Sequence, residues 1–343
     1  MNIAIGIKAL NEERHIAAAI ASALAACARV GGGDVILADS GSTDRTVEIA
    51  RGYPGVRILQ LADPAERSCG TGAQLAFQTV DADFFYLLDG DMVLDPAFLE
   101  HGLAFLTTNP GHAAVGGRVR EANTGSIEFE LRARNDRIKG SAIAGDVDRL
   151  DCGGLYRVAA IRALGYFADR NLHAFEEFDL GARLGAAGWK LARIDVPAVD
   201  HHGHSAGGYR LMLRRLRSGY AGGPGEVIRA AWGQPHWWHV VRRFAQLRYS
   251  IAVFGWWTAL AGLAAAGLAG AASWVWLALL GVALFPLGFL VVRRRSARVG
   301  LYSLVTWNVI AIGMVQGLMR RRRGTVGMIA ARDLSTNAQE PRG

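Results

Sequence analysis

The segment DVILADSGSTDRTVEIAR, residues 34–51, contains a short apolar run, a polar turn and then a helical pattern. The residues before it repeat this order: IAIGIKAL (3–10) has the pattern of a buried strand, and NEERHIAAAIASALAA (11–26) that of a helix capped by Asn11. Later segments continue the alternation as strand, helix and strand: VRILQL (56–61), GAQLAFQTV (72–80) and DFFYLLDGDM (83–92). Strands and helices alternating at this spacing predict an α/β fold built on a doubly wound, mostly parallel sheet.

The alternation becomes less regular after Pro96. We predict a strand at 113–122 and a polar helix or lid at 126–141. A strand, a Gly-Gly turn and a helix are predicted at 149–164. An amphipathic helix at 174–188 and a last strand at 189–197 follow. Ligands of such sheets lie beyond the carboxyl ends of the strands, so the polar turns that follow the first strands should converge on one crevice.

The composition indicates contact with lipid, because 51% hydrophobic residues and a mean hydropathy of +0.17 are high for a soluble protein. Residues 249–292 are 44 in a row without a charged side chain, and 299–319 are another 21. A membrane span needs about 20 apolar residues, so the first stretch fits two helices with a break near 270–273, and the second fits one. A third span would place Arg320–Arg323 on the outside, against the positive-inside rule. The second stretch also contains Ser303, Thr306, Asn308 and Gln316, so a re-entrant or interfacial segment is the alternative, and two and three spans both stay open.

The net charge of +8 is concentrated at one end of the chain. From Arg293 onward there are ten Arg against two acids, which leaves the preceding residues neutral overall. Neutrality argues against nucleic acid as the partner of the large domain. The Arg clusters are typical of topology signals or of contacts to anionic lipid head groups.

The three cysteines, Cys27, Cys69 and Cys152, are widely spaced and form no CxxC pair. They are typical of reduced thiols and not of a disulfide or zinc framework. The apolar run Ile3–Ile7 is too short for a signal-peptide core, so we expect the large domain in the cytoplasm.

The segment LLDGDM places Asp89 and Asp91 at the end of an apolar strand. Alternation puts both carboxylates on one face, and such a pair suits Mg²⁺ or Mn²⁺ held against substrate phosphates. A solvated turn is the alternative, since Asp and Gly favour turns.

Three further polar segments are weaker signals. In ADSGSTDRT, Asp39 ends a strand, and Ser42 and Thr43 can cap the next helix near a nucleotide. In EEFDLGARL, one acid is a candidate general base, although a solvated first turn with an Asp179–Arg183 ion pair explains the pattern equally well. The histidines of DHHGH are candidates to complete a metal shell: His201, His202 and His204.

In this order, over roughly 1–225, these motifs resemble the family 2 glycosyltransferases, which have the Rossmann-like GT-A fold. The resemblance implies a site for a UDP- or GDP-sugar lined by Asn11, Glu12, Asp39, Asp89, Gly153, Gly154 and Glu176. It implies Mn²⁺ or Mg²⁺ on Asp89 and Asp91, with His202 or its neighbour as a further ligand. Glu177 falls at the position of the catalytic base, and a single displacement with inversion is the expected route.

Two departures from the family pattern matter. Ser40 replaces the second Asp of the common DDGS turn, and residues 214–220 read RRLRSGY where processive synthases carry QxxRW. We therefore favour one sugar per acceptor, a lipid-linked or membrane-proximal glycan of cell-surface or exopolysaccharide assembly. A processive synthase and a non-catalytic membrane scaffold are the alternatives.

The domain plan follows from these patterns. We predict a catalytic domain at 1–230, followed by an interfacial amphipathic helix at 231–250 that contains Trp237 and Trp238. Two or three membrane helices at 251–320 and a basic disordered tail at 321–343 complete the chain's plan. The expected location is the cytoplasmic membrane, with the catalytic domain on the cytoplasmic side.

Overall fold

The computed structural model describes residues 1–122, 144–151, 153–203 and 208–335. The predicted helix or lid at 126–141, together with Cys152 and His204, lies outside these residues. The chain divides into two compact units. The sheet unit comprises Met1–Ser205, Gly233–His236 and Arg322–Gly343, and the helical unit comprises Ala206–Trp232 and Trp237–Arg321. The first continuous segment of the sheet unit therefore ends before the predicted boundary at 230. Residues after the apolar helices belong to the sheet unit again.

The sheet unit contains the strands and helices that the alternation predicts, with further short strands. Its strands are β1 (Ile3–Ala9), β2 (Asp34–Asp39), β3 (Val56–Leu61), β4 (Phe84–Asp89), β5 (Met92–Leu94), β6 (His112–Glu121), β7 (Gly145–Val147), β8 (Gly154–Arg157), β9 (Lys190–His201) and β10 (Ala331–Asp333). Its helices are α1 (Ile16–Arg29), α2 (Thr46–Arg51), α3 (Cys69–Phe77), α4 (Phe98–Thr108), α5 (Val158–Ala163) and α6 (Glu176–Ala186).

The strands form one mixed sheet in the order β10-β3-β2-β1-β4-β8-β6-β9-β5, with β7 on β9. The block β3-β2-β1-β4 is parallel, as is the pair β6 and β9, whereas the other pairings are antiparallel. The sheet is thus less parallel than predicted. Only Gly90 and Asp91 separate β4 from β5, too few residues for a parallel crossover, so β5 leaves to pair with β9.

Helices pack on both faces of β1, and successive residues of this strand point to opposite faces of the sheet. Ile5 and Ile7 belong to one buried cluster, and Ala4 belongs to the other. On the second face, a Cβ at Gly6 would lie 2.7 Å from the ring of Phe85 and 2.8 Å from Ala76 of α3. Lys8 is on this same face, two residues further on, where the strand ends.

Two predicted helix starts are wrong. Helix α1 begins at Ile16 and not directly after Asn11, which has φ 58° and lies in the preceding loop instead of capping the helix. Helix α2 begins at Thr46 and not at Thr43. In both places the polar residues bond across to the neighbouring loop, as described below, and this competes with capping their own helix.

The tail was predicted to be disordered, but residues 331–333 form β10 antiparallel to β3. Upstream, the Gln78 side chain donates to the Ile329 carbonyl at 2.9 Å and accepts from its N–H at 2.8 Å. Ile329 is only 2% exposed. The edge of β3 offers unpaired backbone groups, and this segment satisfies them.

The helical unit contains α7 (Gly208–Arg217), α8 (Gly223–Ala231), α9 (Trp237–Arg243), α10 (Ala245–Leu268), α11 (Trp274–Arg294) and α12 (Ala297–Met319). The last three are long and apolar enough to cross a membrane. The break predicted near 270–273 is confirmed, since α10 ends at Leu268 and α11 begins at Trp274. The predicted helix at 231–250 is interrupted at Phe244 instead, and its contact with lipid stays a prediction.

Candidate active site

Lys8 lies at the centre of an acidic cluster where β1 and β4 end. The register pairs Lys8 directly with Asp89 across the two parallel strands. The Lys8 Nζ atom is 3.1 Å from Asp89 Oδ1, 2.5 Å from Glu176 Oε1 and 3.9 Å from Glu177 Oε1. One ammonium group therefore faces three carboxylates that come from two distant parts of the sequence. The sequence offered one signal for this role, a lone charged residue inside an apolar strand.

The first turn of α6 presents Glu176 and Glu177 to this cluster. Phe175, just before it, has φ 68°, a left-handed conformation that costs energy for a residue with a side chain. The helix is fixed by an ion pair from Arg183 to Asp179 at 2.8 Å, with Asp179 only 1% exposed. Arg183 also donates to a backbone carbonyl at Phe167. The predicted ion pair is therefore present, but it is buried and not solvated.

Burial and mutual repulsion control the ionisation of these acids. Burial and the charge of Glu176 raise the pKa of Glu177 to about 8, although Lys8 opposes the shift. Burial also raises the pKa of Asp89 against the effect of Lys8. Burial alone would lower the pKa of Lys8, but Asp89, Glu176 and Glu177 together raise it well above its usual value. A carboxyl group with a pKa near neutrality is suited to accept a proton.

A second polar group lies beside Asp91. The registers of β5 and β6 on β9 place His201 opposite both Met92 and Glu121. Its Nε2 is 3.4 Å from Asp91 Oδ2, and its Nδ1 is 2.7 Å from Glu121 Oε2. Burial alone would lower the pKa of His201, but hydrogen bonds to Asp91 and Glu121 raise it to about 9. Glu121 was not predicted from sequence, and only its position at the end of a strand singled it out.

His202 occupies a different place from its neighbour. Its backbone N–H donates to the Asp91 carbonyl at 3.0 Å. Its ring stacks on that of His15, with centroids 5.2 Å apart. Of the two candidate neighbours, His201 is therefore the one whose ring meets the Asp91 carboxylate, and a ligand role for His202 stays a prediction.

The side chains beside the end of β4, namely Asp89, Asp91 and His201, are of the types that bind divalent cations. In the described part of the chain, no group of three or more His, Cys, Asp or Glu side chains is arranged as a metal site. Each predicted carboxylate instead faces a cationic or protonated partner, Lys8 for Asp89 and His201 for Asp91. Oxygen ligands with an imidazole whose second nitrogen meets a carboxylate are typical of metal shells.

The predicted nucleotide loops after β1 and β2 are joined by hydrogen bonds. Asn11 Oδ1 accepts from Thr43 N at 2.8 Å, and Asn11 N donates to Ser42 Oγ at 2.8 Å. Glu12 N donates to Thr46 Oγ1 at 2.8 Å. Asn11 and Glu12 therefore lie against the loop that follows β2, beyond the carboxyl ends of these two parallel strands.

Asp39 is fully buried at the end of β2. Its carboxylate accepts from Gly41 N at 3.0 Å, from Ser42 N at 3.0 Å, from Ser42 Oγ at 2.5 Å and from Gln60 Nε2 at 2.9 Å. Most of its accepting capacity is thus used within the protein. Contact between Asp39 and a nucleotide stays a prediction.

The Gly153-Gly154 turn has a structural reason for both glycines. Gly153 has φ 92°, and a Cβ there would lie 2.7 Å from the Leu87 carbonyl oxygen. A Cβ at Gly154 would meet the side chain of Leu150 at 2.5 Å. The turn therefore lets β8 approach β4 closely, and its role in making room for donor or acceptor stays a prediction.

Sequence comparison shows that the chain is similar to sugar-transferring enzymes. Residues 4–164 match the family described as glycosyl transferase family 2. An N-acetylglucosaminyl-diphospho-decaprenol L-rhamnosyltransferase of Mycobacterium tuberculosis is 29% identical over 213 residues, covering 50% of this chain and 68% of that protein. An O-antigen chain rhamnosyltransferase of Salmonella typhimurium is 26% identical over 185 residues, covering 50% of this chain and 57% of that protein.

Structure comparison agrees on the fold. A mannosyltransferase from Pyrobaculum calidifontis, solved in complex with GDP-Man and Mn²⁺, has a TM-score of 0.62 at 17% identity. The similarity covers 92% of this chain and 87% of that one. The predicted GT-A fold is therefore confirmed.

Proposed function

Because residues 4–164 match the glycosyl transferase family 2, we propose that the chain is a member of it and moves a sugar from a UDP- or GDP-linked donor onto a lipid-linked or membrane-proximal glycan. The observation that carries the proposal is the cluster around Lys8, which gathers Asp89, Glu176 and Glu177 at the edge of the sheet. In an α/β sheet this edge is where ligands bind.

Two observations support an acceptor at the membrane. Three helices, α10 to α12, are long and apolar enough to cross a bilayer. The M. tuberculosis relative is named for a decaprenol-linked acceptor, and both relatives are rhamnosyltransferases. A nucleotide-activated rhamnose is therefore the first donor to test beside UDP- and GDP-sugars. We place the catalytic site on the cytoplasmic side, in cell-surface glycan assembly.

Glu177 is the proposed general base. Its side chain is 20% exposed, whereas that of Glu176 is 4% exposed and bonds directly to Lys8. Glu177 is thus the carboxylate of the pair that an incoming hydroxyl can reach. It would take the proton as the hydroxyl attacks the sugar carbon, and a single displacement of this kind inverts that carbon.

Asp89 and Asp91 are the proposed ligands of Mn²⁺ or Mg²⁺, and His201 with Glu121 behind it is a further candidate. A divalent cation supplies charge neutralisation for a nucleoside diphosphate leaving group. Lys8 holds Asp89 and the first turn of α6 in one place, which keeps the binding and proton-accepting carboxylates in register.

The direct test is a transfer assay with the full chain in detergent. UDP-, GDP- and dTDP-linked sugars, including a rhamnosyl donor, are offered with a short-chain polyprenyl diphosphate sugar, with Mn²⁺ or with EDTA. We expect metal-dependent addition of one sugar. Products of many sugars would instead support a processive synthase, and no turnover or nucleotide binding under any condition would support a scaffold.

The metal ligands are tested by binding. Asp91→Ala should weaken nucleoside diphosphate binding in Mn²⁺ by at least about tenfold and leave the weak binding in EDTA unchanged. The matched control is Asp81→Asn, because the Asp81 side chain is fully exposed. Equal Mn²⁺ dependence in Asp91→Ala and the control would remove Asp91 from the metal site.

A further inference from the structure

The segments on either side of the three apolar helices belong to the same folded unit. His236 precedes these helices, is 5% exposed, and lies 3.6 Å from the Asp179 carboxylate. Arg322 follows them and pairs with Asp169 at 3.1 Å, while Asn171 bonds to both backbone groups of Arg323. Strand β10 then completes the sheet on β3. Both flanking segments are thus fixed within the sheet unit.

This arrangement restricts how the chain can cross a bilayer. A mixed sheet packed with helices cannot itself span lipid, so the sheet unit lies on one side. The number of complete crossings between His236 and Arg322 must then be even. Three helices are long enough to cross, so at least one of them does not.

Helix α12 differs from the other two. One third of its most apolar window is buried within the protein (33%), against 6% for α10 and 11% for α11. Its hydropathy is 1.4, against 1.7 and 2.5. Helices α10 and α11 are joined by only a short turn, and the Trp256 indole N–H donates to the Val282 carbonyl at 2.9 Å. They have the properties of a transmembrane hairpin.

Helix α12 also lies against a charged part of the helical unit, residues 208–231, which contains five Arg and one Glu. Tyr302 packs on Tyr209 with ring centroids 5.4 Å apart. Near the other end, a Cβ at Gly317 would collide with the Gly222 carbonyl oxygen, and Arg320 pairs with the buried Glu226. At 1.5 Å per residue, the distance from Tyr302 to Arg320, just past the end of α12, is roughly 27 Å, close to the full thickness of a hydrocarbon core. Crossing would therefore carry this charged segment into lipid.

We propose that α10 and α11 cross the membrane as a hairpin and that α12 lies in the interface, on the side of the sheet unit. Its other face is exposed and apolar, as an interfacial helix requires: Leu301, Ile312, Val315, Leu318 and Met319. The arrangement also puts Arg293–Arg298 and Arg320–Arg323 on one side, consistent with the positive-inside rule. The inference does not depend on which sugar is transferred.

Labelling in sealed vesicles of known orientation tests the number of crossings. Single substitutions Ala271→Cys, Arg298→Cys and Val326→Cys are probed with a membrane-impermeant maleimide, with the wild-type chain giving the background of native cysteines. Val326 is 78% exposed. We expect Arg298→Cys and Val326→Cys to react on the side of the sheet unit and Ala271→Cys on the other. The proposal would be overturned if Val326→Cys were labelled from the same side of the membrane as Ala271→Cys. It would also be overturned if all three variants were labelled from one side.

The depth of α12 is a second measurement. Nitroxide labels are attached to Ile312→Cys in α12 and to Leu284→Cys in the middle of α11, both exposed positions. The ratio of oxygen to nickel-chelate collisions should be several times lower at Ile312→Cys than at Leu284→Cys. Equal collision ratios at the two positions would mean that α12 enters the membrane core and would contradict the proposal.

Discussion

Asp39 and Asp89 end two strands that flank β1, yet their surroundings are opposite. Asp39 is fully buried and accepts four hydrogen bonds within the protein. Asp89 shares one ammonium group, that of Lys8, with Glu176 and Glu177. The first carboxylate is satisfied before any ligand arrives, whereas the second belongs to a group with more negative than positive charge. We infer that the Asp39 loop is a preformed support and that the Lys8 cluster performs the chemistry.

The largest effect on the Lys8 cluster is expected from Glu177→Gln. The change removes the proposed proton acceptor, so turnover should fall by about 10² to 10⁴-fold, with donor binding nearly unchanged. Transfer kinetics and nucleotide titration measure the two effects. Glu48→Gln is the control, since that side chain is 67% exposed on α2. Turnover retained in Glu177→Gln would move the base elsewhere.

Glu121→Gln examines the pair behind Asp91. The change leaves His201 Nδ1 beside an amide instead of a carboxylate, at the 2.7 Å contact. Loss of such an outer partner typically weakens metal affinity by about 10 to 100-fold. The Mn²⁺ concentration giving half-maximal activity should rise accordingly, with Glu100→Gln as an exposed control. An unchanged Mn²⁺ requirement would show that the Glu121 carboxylate does not support a metal ligand.

The pH dependence of turnover tests the raised pKa of Glu177, about 8. Only the carboxylate form accepts a proton, and its fraction rises as pH increases through that value. Activity should therefore increase about tenfold per pH unit between pH 6 and 7.5 and level off above about pH 9. Nucleotide binding, measured over the same range, separates proton acceptance from substrate affinity. A rate already level at pH 6 would contradict the assignment.

The smallest effect should come from the other side of the comparison. Asp39→Asn replaces one acceptor oxygen by an N–H₂ group that faces donors, at a cost of about 1 to 3 kcal/mol in the free energy of unfolding. The thermal midpoint should fall, while the pH profile of the remaining activity keeps its shape. Asp34→Asn, at the exposed start of the same strand, is the control. A changed pH profile would mean that Asp39 takes part in the chemistry.

Local patterns predicted much of this site. The apolar runs ending in acids located β2 and β4. The order of motifs predicted site roles for Asp89, Asp91 and Glu177, and these roles stay predictions. Such features depend on residues close in sequence, so period and turn chemistry are enough to find them.

What the sequence missed depends on pairing between distant strands. Lys8 meets Asp89 because of the β1 and β4 register, and His201 meets Glu121 because of the β6 and β9 register. A shift of one residue would reverse which of His201 and His202 faces Asp91. The strand at 331–333 was missed for the same reason, since its partner β3 lies far away in the chain.

The position of β10 also sets an order of events during synthesis. Translation reaches residues 331–333 only after all three apolar helices have been made. Until then the backbone edge of β3 is unpaired on a domain whose N-terminal part can already fold. An open edge of this kind invites pairing with other chains. The last step of domain folding therefore waits until all three apolar helices have been synthesised, and a chain truncated within α12 would keep this edge of β3 open.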